Sequence, residues 1–110
     1  MGMRRNIALQ YDDKKKTKIY LYTHWGADGL EKVLAEALEF GKGRWDDHSY
    51  LARIIFSRMI QDQVLEETGY GIAPFPIDEE FPTIKVNLAD RTVNNVAYVN
   101  FIKEPEMFKI

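Results

Sequence analysis

The spacing of the apolar residues changes twice along the chain, and this limits the fold more than any other feature. Alternating apolar residues, which indicate β-strands, lie on both sides of two segments in which apolar residues recur at helical spacing. The predicted strands are 4–11, 17–24, 70–75, 82–88 and 92–101, and the predicted helices are 27–43 and 46–69. The order ββααβββ predicts a single α+β domain over 1–110, with an antiparallel sheet and two helices packed on one face.

The first predicted helix has well-defined ends. Apolar side chains recur at helical spacing between residues 30 and 38 and would form one buried stripe. Asp28 is suited to cap the N-terminus, and Glu31, three residues later, completes the pattern of a capping box. Gly41 and Gly43 favour the left-handed conformation in which helices end. These signals predict an amphipathic helix that lies against the sheet.

The second predicted helix is apolar around most of its circumference, which indicates burial on several sides. Asp46 or Asp47 caps its N-terminus, Gly69 ends it, and its last turns are polar and project into solvent. Arg53 lies in the apolar part, where a buried arginine requires a carboxylate partner. Asp46 lies two turns earlier on the same face, which favours a structural clamp between them. The alternative is that Arg53 is a free receptor for an anion.

The composition excludes several classes of function. The chain has 110 residues, no cysteine, and a net charge of −2 from 15 basic and 17 acidic side chains. Thiol catalysis and cysteine-ligated zinc are therefore excluded, and the balanced charge does not indicate duplex nucleic-acid binding. No signal peptide or membrane-spanning run is recognisable, so we expect a cytoplasmic location. The tail 103–110 is expected to be extended and to dock through Met107 and Phe108.

Three motifs occur in order: "YLYTHWGADGLEKVLAEAL", "GRWDDHSYLARIIFSRMI" and "TGYGIAPF", followed by a proline and an "IKVNLADRTV" hairpin. This succession, over residues 17–96, resembles a group of small uncharacterised proteins encoded by bacteriophages and prophages. Ala27 and Ala73 depart from the YTHWGG-like and TGYGIS-like patterns of that group. The resemblance implies a phage accessory protein, a class that includes small inhibitors of host defence and host enzymes. It does not imply any particular biochemical activity.

Tyr22, His24, Trp25 and Gly26 form the first candidate site, where the second strand meets the first helix. Gly26 permits a chain reversal, and free N–H groups at a helix N-terminus favour an anion. His24 and Trp25 would hydrogen-bond to and stack on a nucleotide-like ligand, with Tyr22 and Tyr70 as further aromatic walls. The structural alternative is that Trp25 covers the core edge, His24 bonds a carbonyl, and the capping carboxylate already occupies the anion position.

Arg44, Trp45, Tyr50 and Arg53 form the second candidate site, at the start of the second helix. Arginine beside tryptophan in a glycine-bounded loop is typical of a recognition pair, although Arg44 would also pair with a capping aspartate. The aspartates beside His48 are accounted for by a helix start, so neither a metal nor a cofactor is predicted. A first helix of ~14 residues would separate the two candidate sites by about 20 Å.

Two separated aromatic surfaces favour a binding protein over a compact active site. We therefore expect a non-catalytic phage-type accessory or counter-defence protein that binds a host protein or a small anionic nucleotide-like ligand and assembles as a homo-oligomer. The first alternative is a small enzyme or nucleotide-processing domain that uses His24 with a carboxylate near Asp46. The second is a virion or assembly component.

Overall fold

The computed structural model describes residues 3–12, 17–66 and 69–105. Its strands are β1 (Arg5–Asp12), β2 (Thr17–Thr23), β3 (Tyr70–Ala73), β4 (Ile84–Asn87), β5 (Thr92–Val93) and β6 (Val96–Ala97). Its α-helices are α1 (Leu30–Phe40), α2 (His48–Met59) and α3 (Tyr98–Lys103), and a 3₁₀ turn covers Lys42–Arg44. The α+β class is confirmed, with strands before and after the pair of long helices. None of the helices in these ranges combines the length and hydropathy needed to cross a membrane.

The six described strands form one mixed sheet in the order β3-β2-β1-β4-β5-β6. β1 pairs antiparallel with β2 and parallel with β4, where Ile7 lies opposite Ile84 and Leu9 opposite Val86. The prediction of an entirely antiparallel sheet is therefore wrong at this pair, although the other pairs are antiparallel. β1 and β4 are far apart in sequence, and local alternation does not specify the direction in which distant strands pair.

The core lies between one face of the sheet and the helices. Ile7 and Leu9 of β1 and Leu21 of β2 belong to the same buried cluster as Leu34 of α1 and Ile55 of α2. Successive strand residues point to opposite faces, so this cluster places α1 and α2 on the same side of the sheet. The predicted packing of two helices on one face is thus present, and α3 adds Phe101 to the cluster.

The N-terminus of α1 differs from the prediction. Its N-cap is Gly29 at φ 78°, with no side-chain capping bond, so the predicted Asp28 cap and capping box are wrong. Gly29 occupies the left-handed conformation, and its carbonyl accepts from the N–H groups of Lys32 and Val33. Glu31 is buried, and its carboxylate lies 2.8 Å from Arg5. Glu31 in the first turn of α1 therefore forms a buried ion pair and does not complete a capping box.

α2 begins as predicted but ends earlier. The Asp47 carboxylate accepts a hydrogen bond of 3.2 Å from the N–H of Tyr50, so Asp47 is the N-cap. The helix ends at Met59 and not near Gly69, and the described residues 60–66 form turns. Val64 and Leu65 are exposed there. Most helical stability in proteins comes from tertiary packing, and such exposed side chains gain little of it, so further helical turns are not stabilised here.

The predicted strand 92–101 is also wrong over much of its length. β5 and β6 have two residues each, and Asn94 and Asn95 between them have φ angles of 50° and 70°. Two successive positive φ angles make the tight reversal of a type I′ turn. The chain then enters α3, whose Tyr98 and Phe101 are buried. The predicted docking of Met107 and Phe108 lies outside the described residues.

Candidate functional site

A groove between α1 and α2 has a volume of about 610 Å³, and we call it the α1–α2 groove. Its walls come from one side of α1, the 3₁₀ turn, and the exposed side of α2. The lining residues are Glu36, Ala37, Phe40, Gly41, Gly43, Arg44, Tyr50, Arg53, Ile54, Ser57, Arg58 and Gln61. Ligand sites for small molecules usually have volumes of about 300–1,000 Å³. The groove is therefore large enough for a nucleotide-sized ligand.

Two arginines contact one tyrosine in this groove. The Arg44 and Arg53 guanidinium carbons lie 4.7 Å and 4.8 Å from the centroid of the Tyr50 ring. Arg53 also donates to the Ser57 hydroxyl at 3.4 Å. Within the described parts of the chain, neither guanidinium forms an ion pair. The predicted clamp between Arg53 and Asp46 is therefore wrong. The predicted pairing of Arg44 with a capping aspartate is wrong as well.

The backbone of the 3₁₀ turn positions Arg44. Gly41 ends α1 where α2 comes close, and a Cβ on Gly41 would lie 2.9 Å from the Leu51 side chain. The Gly41 carbonyl accepts from Arg44 N–H at 2.8 Å, and the Arg44 carbonyl accepts from Asp47 N–H at 3.0 Å. Arg53 follows Tyr50 by three residues on α2, so the two share a helix face. The groove therefore combines groups from two elements joined by a short turn.

Trp45 supports this turn and does not line the groove. Its indole N–H donates to the Leu38 carbonyl at 2.9 Å, and its ring meets the Tyr98 ring edge-on at 5.0 Å. Burial raises the pKa of the Tyr98 hydroxyl. The sequence predicted that Arg44 and Trp45 would form a recognition pair. In the structure Arg44 instead contacts the Tyr50 ring. Trp45 acts as an anchor between α1 and α3.

Other groove residues were not singled out by the sequence. Phe40 is 86% exposed on α1, and the Arg58 guanidinium binds the Glu36 carboxylate at 2.6 Å, joining α2 to α1. Phe40 lies outside the apolar stripe of α1, and an aromatic residue on the polar side of an amphipathic helix is the signal that could have indicated it. The Glu36–Arg58 pair joins two helices, so local spacing gives no sign of it.

The residues of the first candidate site meet at the end of the sheet, and we call Tyr22, His24, Trp25, Gly26 and Tyr70 the sheet-end cluster. The Tyr22 and His24 rings are 5.5 Å apart, edge to face. A Cβ on Gly26 would lie 2.9 Å from the Tyr70 hydroxyl, so the turn and β3 are in close contact. Trp25 is 62% exposed, whereas His24 is half-buried. The predicted grouping of these five residues is present.

Hydrogen bonds to a buried threonine hold this turn in place. The Thr23 hydroxyl accepts from the N–H of Gly26 at 2.8 Å and from that of Trp25 at 3.3 Å. The backbone of His24 is also held, because its N–H donates to Gly69 at 3.0 Å and its carbonyl accepts from Met3 at 2.8 Å. Thr23 was not identified from the sequence. The turn is thus fixed by the monomer, while the Trp25 side chain remains accessible.

The sheet-end cluster lies near the N-terminus of α1, and the α1–α2 groove lies along its C-terminal half. The cluster precedes Leu30, where α1 begins, and the 3₁₀ turn follows Phe40, where it ends. A helix of 11 residues is about 16 Å long. The described ranges contain no group of three or more His, Asp or Glu side chains able to hold a metal ion. Comparisons of the chain with protein-family models, curated proteins and solved structures give no match.

Proposed function

We propose that this chain is a non-catalytic binding protein that takes an anionic, nucleotide-like ligand in the α1–α2 groove. The observation that carries the proposal is the pair of guanidiniums on Tyr50. Arg44 and Arg53 both lie within 5 Å of one ring, and neither has a carboxylate partner in the described chain. An anion bound in the groove would supply the counter-charge that both guanidiniums lack.

Arginine supplies the geometry that phosphate recognition needs. Its planar guanidinium donates pairs of parallel N–H groups, which match two oxygens of a phosphate. Contact with the Tyr50 ring restricts the orientation of both side chains, so less conformational entropy is lost when the ligand binds. Ser57, which accepts from Arg53, also has a hydroxyl hydrogen that can be donated to a ligand oxygen.

The groove also offers apolar surface for a ring system. Phe40 is 86% exposed and Tyr50 40% exposed, and both line the groove with Ile54. A ligand that joins a planar base to a phosphate would use the aromatic side chains and the arginines together. Inorganic phosphate would use only the arginines. The proposal therefore predicts that nucleotides bind more tightly than phosphate alone.

The proposed biological class is a phage-type accessory protein that acts by sequestering such a ligand or by engaging a host protein. Its support is the motif resemblance over residues 17–96. The enzyme alternative requires His24 to meet a carboxylate near Asp46, and these residues flank opposite ends of α1. The described groove lining contains no imidazole, and its carboxylate, Glu36, is paired with Arg58. These features favour binding over acid–base chemistry.

A thermal-shift and calorimetric panel tests the proposal. Mononucleotides, dinucleotides, cyclic nucleotides and inorganic phosphate are each added to the intact chain. A ligand at about 100 times its Kd adds ~2.7 kcal/mol of stability, which corresponds to roughly 10 °C for a domain of this size. At least one nucleotide should give such a rise. No rise with any nucleotide would contradict the proposal.

Arginine variants locate the binding site. Arg44→Gln and Arg53→Gln should each weaken nucleotide binding by about 10- to 100-fold, the value expected for one charge-assisted hydrogen bond. Arg91→Gln is the matched control, because Arg91 is exposed on the turn between β4 and β5. Equal affinities for all three variants would place binding elsewhere. Hydrolysis of the nucleotide by the wild type that His24→Ala abolishes would instead establish the enzyme alternative.

A further inference from the structure

We propose that the α1–α2 groove selects guanine nucleotides, and that the Glu36 carboxylate is the group that recognises the base. This assignment rests on the nucleotide-binding function proposed above and names the base that the ligand carries. Three features of the groove support it. Two arginines lie at one end, an exposed aromatic ring lies on the wall, and a carboxylate bound by another arginine lies toward the other end.

The groove runs along one face of α2. The residues on this side that line it recur at helical spacing and are Tyr50, Arg53, Ile54, Ser57, Arg58 and Gln61. An α-helix rises 1.5 Å per residue, so Arg58 lies about 7.5 Å further along the helix axis than Arg53. Arg44, in the turn before α2, contacts Tyr50 in the first turn of the helix. The proposed phosphate-binding arginines and Arg58 are therefore separated by a distance comparable with that between the phosphate and the base edge of a nucleotide.

Phe40 provides an aromatic wall between these two ends. Its side chain is almost fully exposed, and it follows Glu36 by four residues, so the two side chains are neighbours on one face of α1. After Phe40 the chain continues through Gly41 into the turn that contains Arg44. A base stacked on the Phe40 ring would direct its hydrogen-bonding edge toward Glu36, while its phosphate contacts the arginines at the other end.

The Glu36 carboxylate is oriented by one hydrogen bond and can accept others. The Arg58 guanidinium donates to Glu36 Oε1 at 2.6 Å, which links the side chain to α2. An ionised carboxylate has about four lone-pair sites on its two oxygens, so this bond leaves both oxygens able to accept further hydrogen bonds. The positive charge of Arg58 also offsets the negative charge of Glu36 and weakens its repulsion of a phosphate. Glu36 is thus an oriented acceptor within the groove.

The bases differ in how many donors they present to a carboxylate. Guanine has two adjacent donors, the ring N1–H and the exocyclic N2 amine, which match the two oxygens of one carboxylate. Adenine and cytosine each present a single exocyclic amine on this edge. Guanine also has an O6 acceptor beside N1, and a guanidinium next to the carboxylate complements it. A site that accepts from both donors of guanine therefore discriminates against the other bases, which form fewer hydrogen bonds with it.

Three mononucleotides test the selection by calorimetry with the intact chain. Guanosine monophosphate should bind at least about tenfold more tightly than adenosine monophosphate, the effect of one additional charge-assisted hydrogen bond. Inosine monophosphate differs from the guanine nucleotide only in lacking the N2 amine, so it should lose most of that advantage. Equal affinities of the three would overturn the guanine assignment and leave the binding function intact. Absence of binding by all three would overturn both.

A variant of Glu36 tests which group recognises the base. Glu36→Gln keeps the size of the side chain, but an amide has one acceptor oxygen and cannot accept both guanine donors as a carboxylate does. The preference for guanosine over adenosine monophosphate should fall below about threefold. Arg58 loses its partner in this variant, and its charge then acts on both nucleotides alike. The ratio of the two affinities is therefore the quantity to compare.

Glu39→Gln is the matched control. Glu39 lies on α1 and pairs with Lys42, and it does not line the groove, so this variant should keep the preference of the wild type. Circular dichroism establishes that both variants are folded. If Glu36→Gln does not fold, Glu36→Asp withdraws the same carboxylate by one methylene and should also reduce the preference. An unchanged affinity ratio in the folded Glu36 variant, or an equal loss in Glu39→Gln, would overturn the role of Glu36.

Discussion

Tyr22 and Gly71 show how a single glycine can be required by a neighbouring side chain. The two residues are directly paired between β2 and β3. A Cβ built on Gly71 would lie 2.2 Å from the Tyr22 hydroxyl oxygen and 2.3 Å from its ring carbon Cζ. The tyrosine ring therefore lies across Gly71. A glycine inside a strand is typical of a close approach by a neighbouring group, but its partner is not identifiable from sequence, because strand register depends on pairing between distant segments.

Gly71→Ala should destabilise the protein by about 1–3 kcal/mol, the usual range for overpacking. Either the Tyr22 ring moves away and loses its contact with His24, or the strand backbone shifts. Urea unfolding monitored by circular dichroism measures the change. Gly43→Ala is the control, because a Cβ at Gly43 meets nothing within 4 Å. Equal stabilities for both variants would show that the ring accommodates the methyl group without cost.

Arg44, Tyr50 and Arg53 show what residue patterns can and cannot reveal about a site. The three were identified as candidates from their residue types and their position at a helix start. Their mutual contact was not, because it depends on how the 3₁₀ turn orients Arg44 toward α2. The prediction that Arg53 is buried was also wrong, since it is exposed. A helix with many apolar residues still leaves one side to solvent, and local periodicity does not determine which side.

At the scale of elements, α2 begins where Asp47 caps it. Asp47→Ala should lower the free energy of unfolding by about 1 kcal/mol, because the Tyr50 N–H loses its acceptor. Asp46→Ala is a matched control on an exposed neighbouring carboxylate and should change stability by less than about 0.5 kcal/mol. Urea midpoints of the two variants measure the difference. A larger loss of stability in Asp46→Ala than in Asp47→Ala would assign the cap to Asp46.

Elements with strong local signals were predictable. β1, β2 and the start of α2 agree with the prediction to within a few residues, because alternation and a capping aspartate act locally. The end of α2 was not predictable, since residues that favour helices continue to Glu66, and the sequence does not reveal that Val64 and Leu65 stay exposed. The segment 92–101 was predicted as one strand because Val93, Val96 and Tyr98 are spaced as in a strand, whereas it contains β5, an asparagine turn, β6 and the start of α3.

At the scale of the whole molecule, charge is distributed unevenly along the sequence. Segment 59–84 has six acidic residues and no lysine, arginine or histidine, whereas Arg44 and Arg53 line the α1–α2 groove. Part of the acidic segment is held against β1, where Glu80 pairs with Arg4. The total charge of −2 conceals this uneven distribution, which is why composition alone indicates no preference between partners.

A buried ion pair joins the centre of the sheet to α1. Arg5 and Glu31 are 2% and 0% exposed, and their charged atoms are 2.8 Å apart. Attraction between the two opposite charges holds the pair in this buried position. Arg5 also donates to the Pro82 carbonyl at 2.6 Å and to the Ala27 carbonyl at 3.4 Å. One guanidinium therefore links β1, the turn before α1 and the segment before β4.

Removing one charge of this pair should be more damaging than removing both. Glu31→Gln leaves the Arg5 charge buried without a counter-charge and should cost about 3–5 kcal/mol, a large part of the stability of a small domain. The double variant Arg5→Met with Glu31→Leu replaces both charges by apolar groups and should recover much of that loss. Urea unfolding of the wild type, the single variant and the double variant measures the three free energies of unfolding. A double variant less stable than Glu31→Gln would mean that the backbone bonds of Arg5, and not the ion pair, hold these three segments together.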